Sequence, residues 1–279
     1  LKFTKMHGAG NDYVYIDARR LDRDWPALSV AISDRHRGVG SDGIILIMDS
    51  EKSDLRMRMF NADGSEGEMC GNGIRCFAKY ALDRGIVSAD RSPVTVDTLA
   101  GIVDITPIRE RGRIVSATVR MGEPRLRAEE IPVLAPGYDT VVDYPLTVDG
   151  REFNISCVSM GNPHAVAFVD EPVDEVPLHE LGPLVERHPM FPQRVNFEIV
   201  NLVDSGTLKA RVWERGSGLT MACGSGACAI AVAARLHGHI GDRVTIALPG
   251  GDLDVTWPGE GQVILEGPAE EVFEGDWPD

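Results

Sequence analysis

The sequence contains no apolar run long enough to cross a bilayer as a helix, which takes about 20 predominantly apolar residues. No charged n-region followed by an apolar h-region opens it, so a cytoplasmic location is expected. Basic residues are scarce: 28 Lys and Arg stand against 43 Asp and Glu, a net charge of −15. That deficit argues against nucleic acid and against anionic membranes as partners, since both call for a basic surface. Cysteine is sparse too, and its count of five is odd and low for a secreted disulfide framework. Free thiols in a reducing compartment are therefore expected. The 279 residues, 43% hydrophobic and 25% charged, have an ordinary globular composition and suffice for one large or two medium domains.

One stretch organises the chain. From Arg56 to Phe60 apolar and basic residues alternate as in a short strand. A Gly- and Asp-rich turn follows, and then Ile74, Phe77, Ala78 and Ala81 recur at helical spacing. Cys70-Gly71-Asn72 stands at the start of that helix, where backbone N–H groups lack partners and the macrodipole favours negative charge. The same device returns as a strand from Arg211, a turn, Cys223-Gly224-Ser225-Gly226, and an apolar helix expected over 227–236. In both copies the cysteine lies twelve residues after an arginine of the preceding strand, Arg58 or Arg211.

The repetition extends along the chain. The opening strand, Gly-rich bend and second strand, with Asn11, recur at 153–169 with Asn162. A helix expected from Trp25 to about His36, with Leu28, Ala31 and Ile32 on one face, recurs at 178–188. Asn11 and Asn162, Arg35 and Arg187, Asn61 and Glu214, Cys70 and Cys223, and Val94 and Val244 all stand 150 to 153 residues apart. A period this long excludes a solenoid, whose repeats run to roughly 50 residues. The expectation is an α+β fold of two pseudo-symmetric domains, each a strand-rich, mostly antiparallel unit around a central helix, with a ligand in the cleft between them. The domains are expected at 1–118 and 119–268, the last strand (269–279) being able to join the first.

Cys76, Cys157 and Cys228 read as buried core thiols, two inside apolar helices and one in a strand. Cys70 and Cys223, each at a helix start beside glycines, are expected to have thiol pKa values lowered towards neutrality. Zinc fits poorly, because C-x5-C and C-x4-C are not metal spacings, and no metal or organic cofactor is expected. Gly71 and Asn72, with Gly224 and Ser225, offer backbone N–H groups suited to one carboxylate. Two thiols and a gripped carboxylate suit proton abstraction at the Cα of an amino acid, with a base on one face and an acid on the other. Donors at the carboxylate help most as it becomes enediolate-like; losing one such donor typically costs about 2.7–4 kcal/mol. Asn11, Asn61, Asn162, Asn196, Glu214 and Arg215 stand at repeat-matched or neighbouring places and suit an amino-acid ligand, Arg215 a second carboxylate. His164, after Asn-Pro, either tunes a cysteine or is a core histidine.

These residues resemble the diaminopimelate epimerase family over essentially the whole chain. The motifs are His7-Gly-x-Gly-Asn11-Asp, Phe60-Asn61-x-Asp-Gly-Ser, Met69-Cys70-Gly-Asn-Gly-x-Arg75-Cys, Met160-Gly-Asn162-Pro-His164, Val195-Asn196, Trp213-Glu214-Arg215-Gly-x-Gly and Ala222-Cys223-Gly-Ser-Gly. The resemblance implies two domains with a central helix each, and pyridoxal-independent interconversion of LL- and meso-2,6-diaminoheptanedioate in lysine and peptidoglycan precursor synthesis. It implies that Cys223 takes the proton from the LL isomer, that Cys70 supplies one, and that His164 and Glu214 poise them. Substrate contacts would fall on Asn11, Asn61, Gly71, Asn72, Asn162, Asn196, Glu214, Arg215, Gly224 and Ser225. The partner is then a small-molecule amino acid, with a homodimer as the candidate assembly. One departure stands out: many members carry Gln where this chain has Gly43. Related cysteine-pair racemases acting on proline, hydroxyproline or histidine are the alternative.

Overall fold

The computed structural model describes residues 1–278 and divides into two compact units. The first comprises Leu1–Arg120 with the segment from Glu266, and the second Met121–Leu265. In the first, β1 (Lys2–Gly8), β2 (Asn11–Asp17), α1 (Trp25–Ser33), β3 (Gly43–Met48), β4 (Leu55–Asn61), β5 (Glu66–Gly67), α2 (Gly71–Asp83), β6 (Val94–Thr98), β7 (Gly101–Glu110) and β8 (Arg113–Arg120) follow in order. In the second come β9 (Tyr144–Val148), β10 (Arg151–Ser159), β11 (Pro163–Phe168), α3 (Leu178–Glu186), β12 (Asn196–Asp204), β13 (Thr207–Glu214), β14 (Gly218–Thr220), α4 (Gly224–Leu236), β15 (Arg243–Leu248) and β16 (Gly251–Thr256). Two more strands close the chain, β17 (Ile264–Pro268) and β18 (Glu270–Asp276).

Strand pairing follows the same plan in each unit. β1–β2, β3–β4, β6–β7 and β7–β8 are antiparallel, while β2–β3 and β4–β6 are parallel pairs joined through α1 and α2. In the second unit β10–β11, β12–β13 and β15–β16 are antiparallel, and β11–β12 and β13–β15 are parallel. β18 pairs antiparallel with β1, the place that β9 takes beside β10. The last strand therefore returns to the first unit.

Each sheet wraps a central helix. α2 packs against β1, β2, β3, β7 and β8, and α4 against β10, β11, β12, β15 and β16. Nearly every residue of α4 from Gly226 to Ala234 is buried, as expected for a helix enclosed on all sides. Strand β3, with helices on both faces, is apolar throughout: Ile44 and Leu46 join the cluster with Trp25 and Ile32 of α1, while Ile45 reaches α2 at Gly73. α2 and α4 are both 13 residues long, and both stop where a glycine turns left-handed, Gly85 (φ 63°) and Gly238 (φ 72°). Their helices close with Ile86 N–H to Ala81 and His239 N–H to Ala234, the long bond of a Schellman end.

Four sequence expectations need correction. α1 stops at Ser33 rather than His36, because the Asp34 carboxylate accepts the N–H groups of His36 and Arg37 and turns the chain. Its buried face is Trp25, Ser29, Ile32 and Ser33, with Ala31 exposed, since Trp25 takes the core position at the first turn. α3 likewise ends at Glu186, and α4 starts at Gly224 rather than Ala227, directly after the cysteine.

Candidate active site

Both cysteines are helix caps, and their backbone conformations are nearly the same: φ −126°, ψ 116° at Cys70 and φ −118°, ψ 116° at Cys223. Each sulfur accepts the N–H of the third helical residue, Gly73 or Gly226, at 3.3 Å. Each cap carbonyl accepts the next N–H, from Ile74 or Ala227. The sequence places small residues there for a steric reason. A Cβ at Gly226 would lie 3.2 Å from Cys223 Cβ and 3.3 Å from its sulfur, and one at Gly73 would meet Ile45 Cδ1 at 2.5 Å. The N–H groups of Gly71 and Asn72, and of Gly224 and Ser225, open the two helices beside the sulfurs.

In the first unit the half-buried Cys70 thiol donates to Asn11 Oδ1 at 3.2 Å. Asn11 Nδ2 in turn donates to Asp42 Oδ2 at 2.6 Å, and Asp42 also accepts the Asp12 N–H and pairs with Arg35. Burial pushes the Asp42 carboxyl up, with the Asp12 N–H pulling the other way. Tyr13, buried beside this network, has its phenol pushed well up by burial and by the Cys70 charge, which keeps it an O–H group. Asn61 donates to Ser65 Oγ at 2.9 Å within the turn after β4. The Asn72 side chain points inward and accepts from Arg75, a fully buried guanidinium that also binds the carbonyls of Gly71 and Pro268. Arg75 thereby fixes the first turn of α2.

In the second unit Cys223 is buried, with Ser225 Oγ 3.5 Å from its sulfur. Asn162 donates to Ser225 Oγ at 3.3 Å, and its Oδ1 lies 2.9 Å from His164 Nε2. His164 is fully buried, and its Nδ1 meets Glu198 Oε1 at 2.7 Å. Asn196 holds two backbone segments together, donating to the Pro163 carbonyl and accepting the Arg215 N–H. Glu214 accepts from Thr220 Oγ1 at 2.6 Å, and the exposed Arg215 guanidinium reaches the Gln193 carbonyl at 3.0 Å.

The expected fall of the thiol pKa does not hold for Cys223. Burial pushes that thiol well up, and the charges of Glu214 and Glu198 add to the rise. The Ser225 hydroxyl and the Gly226 N–H oppose it without reversing it. A helix N-terminus favours a thiolate, but full desolvation of the sulfur outweighs it here. The core thiols behave as expected: Cys76 is pushed up to about 11, chiefly by burial, and Cys157 is raised in the same way. Two contributors escaped the sequence reading, Asp42 and Glu198. The signal for Glu198 was a carboxylate at an otherwise apolar run, at the repeat position of Ile45.

Gly43 also finds its explanation. A Cβ there would stand 2.1 Å from the Phe60 carbonyl oxygen, with φ at 154°, so this backbone has no room for the Gln of other members.

The family model described as diaminopimelate epimerase matches residues 3–127 and 156–272, both cysteines included. The chain belongs to the diaminopimelate epimerase family. Relatives of that name from Methanococcus maripaludis and Pelotomaculum thermopropionicum are 50% and 49% identical, over 99% and 100% of this chain and 99% of each relative. Among solved structures, a probable proline racemase from Agrobacterium radiobacter superposes with TM-score 0.71 at 16% identity, covering 99% of this chain and 92% of its own. At that identity the likeness concerns the fold, the duplicated α+β architecture with a central helix in each half. Membership of this family makes the chain an isomerase.

Proposed function

We propose that the protein interconverts LL- and meso-2,6-diaminoheptanedioate by a two-thiol acid/base reaction, within lysine and peptidoglycan precursor synthesis. The observation that carries the reading is the pair of cysteine caps, alike in conformation and in their bond to a helical N–H, both within the stretches that the family model matches. Inversion at Cα requires a base on one face and an acid on the other. Cys223 takes the proton from the LL isomer and Cys70 delivers one; the reverse direction exchanges the roles. The helix-start N–H groups of Gly71, Asn72, Gly224 and Ser225 stabilise the carboxylate beside the reacting carbon as it gains charge. Asn11, Asn61, Asn162 and Asn196 belong to the substrate shell or brace it, Glu214 answers the ammonium, and Arg215 answers the distal carboxylate.

A raised Cys223 thiol is compatible with this chemistry. The reaction needs one proton shared between two sulfurs, and the last proton of such a pair is meant to be held tightly. When Cys223 loses it, the Ser225 hydroxyl and Gly226 N–H are the donors that receive the sulfur's charge. A homodimeric assembly and a cytoplasmic location belong to the same proposal, and sedimentation and cell fractionation test them. The deciding experiment is epimerisation of LL-diaminopimelate in deuterated water, beside proline and histidine. Deuterium at the inverted centre of diaminopimelate alone is expected; turnover of proline or histidine in its place would sink the assignment.

A further inference from the structure

The two units repeat their cysteine caps but differ in what stands behind them. Asn11 and Asn162 occupy matched positions, yet they point opposite ends of their amides along the path to sulfur. Asn11 is oriented by Asp42, which takes its Nδ2 at 2.6 Å and leaves Oδ1 to accept from the Cys70 thiol. Val195 stands at the repeat position of Asp42, so nothing of that kind orients Asn162. Its Oδ1 faces His164 Nε2 instead, which turns Nδ2 towards Ser225 Oγ. The serine oxygen then accepts from Asn162, and its own proton is left for the Cys223 sulfur 3.5 Å away.

This direction requires hydrogen on His164 Nε2. Glu198 Oε1 stands 2.7 Å from Nδ1. A carboxylate facing an imidazolium, or a carboxyl O–H facing a neutral ring, leaves Nε2 protonated and the pair neutral overall, whereas a carboxylate accepting Nδ1–H from a neutral ring would leave Nε2 bare and a net charge fully buried, the costlier state. Glu198 is fully buried, its Oε2 has no hydrogen-bond partner among the described residues, and burial pushes its carboxyl up against the pull of His164. A buried carboxyl with a bare oxygen is costly, and an apolar side chain would fill the space more cheaply. Ile45 does so at the matching place in the first unit, against Gly73 as Glu198 lies against Gly226. The titratable groups that face Glu198 are His164 on β11, Glu214 on β13, Cys157 on β10 and Cys223 at the cap of α4.

We propose that Glu198 is a positioning residue of the reaction: by holding hydrogen on His164 Nε2 it sets the direction of the Asn162–Ser225 relay, so that the relay ends in an O–H donor to the Cys223 sulfur. Asp42 sets the opposite direction at Cys70, where the thiol itself is the donor. The proposal rests on the reading of Cys223 as base and Cys70 as acid.

Glu198→Gln and Glu198→Leu, each in a Cys70→Ala background, test it. Deuterium uptake at Cα of the LL substrate is followed against pH. A glutamine that donates its N–H to Nδ1, the orientation favoured by the Asn162 oxygen at Nε2, keeps hydrogen on Nε2, whereas leucine makes no bond to Nδ1 and frees the ring to adopt either tautomer. Both substitutions remove the Glu198 charge that raises Cys223, so the two variants are compared with each other. The Leu limb should lie at higher pH than the Gln limb, with exchange on the acid side roughly tenfold lower than in Gln and the plateau largely kept. A merely structural role would lower the plateau and leave the limb in place. Coincident limbs for Leu and Gln overturn the proposal. Absence of exchange in Cys70→Ala itself would instead condemn the two-thiol reading. Ring ¹⁵N NMR of His164 then judges Glu198 independently of turnover: hydrogen on Nε2 in wild type and Gln but mixed tautomers in Leu supports it, and a bare Nε2 in wild type refutes it.

Discussion

The proposed reaction gives Cys70 a second job beside capping α2, and a pair of substitutions pulls the two apart. Its sulfur caps α2 through the Gly73 N–H at 3.3 Å, and its thiol donates to Asn11 Oδ1 at 3.2 Å. In Cys70→Ser the hydroxyl replaces both bonds, and serine is a preferred cap. In Cys70→Ala both are gone. Loss of a side-chain cap costs about 1 kcal/mol, in a range of roughly 0.5–2. For a unit of this size that lowers the unfolding midpoint by about 2–4 °C per kcal/mol. Calorimetry should therefore place Ser near wild type and Ala about 2–4 °C below it. Epimerisation should collapse in both, by at least about 10²–10⁴-fold, because an alcohol is far too weak an acid to replace a thiol. Activity in the Ser variant within tenfold of wild type would mean that Cys70 is a structural cap alone. Equal stability of Ala and Ser would mean that the sulfur does not cap the helix.

The pH dependence of kcat/KM should be bell-shaped, with apparent pKa values that belong to the coupled thiol pair. Because burial, then Glu214 and Glu198, raise Cys223, the second ionisation and hence the alkaline fall should lie above the ordinary thiol range; a fall within or below that range would contradict the buried placement of the sulfur. Arg215→Met should lower kcat/KM for diaminopimelate severely, by about 10²-fold or more if a buried carboxylate loses its partner, and near-normal turnover would remove Arg215 from the substrate shell. Gly43→Gln should destabilise the first unit by about 1–3 kcal/mol, because its Cβ would meet the Phe60 carbonyl at 2.1 Å. Denaturant unfolding measures this, and an unchanged midpoint would show that the β3 backbone shifts freely.

The repeat, the two cysteine helices and the strand-helix order were legible because they are local patterns carried at a constant offset. What failed was tertiary in origin. α1 presents Trp25 and Ser29 to the sheet rather than Ala31, a rotation decided by where the large ring fits. The thiol of Cys223 was read from its helix start, a local feature, whereas its desolvation is a property of the folded unit. Glu198 hid for a related reason. Between Phe197 and Ile199 a carboxylate reads as the solvent side of an alternating strand. Strand β12 is instead buried on both faces from Asn196 to Val200, so the alternate position points into the core beside α4.

A duplication hands both halves the same cap, yet the proposed reaction needs one sulfur to give a proton while the other takes it. Identical surroundings would make the two thiols equivalent and leave their roles to the substrate alone. The units diverge at the positions that decide this: Asp42 against Val195, Tyr13 against His164, and Ile45 against Glu198. The scaffold that holds each sulfur, from the cap dihedrals to the glycine three residues on, is retained almost unchanged. Apart from Ser225, which touches the Cys223 sulfur where Asn72 turns inward to Arg75, these differences lie one layer behind the sulfurs, in the side chains that turn the two asparagines. An acid on one side and a shared His–Glu proton on the other suffice to give one repeated motif two opposite hydrogen-bond directions.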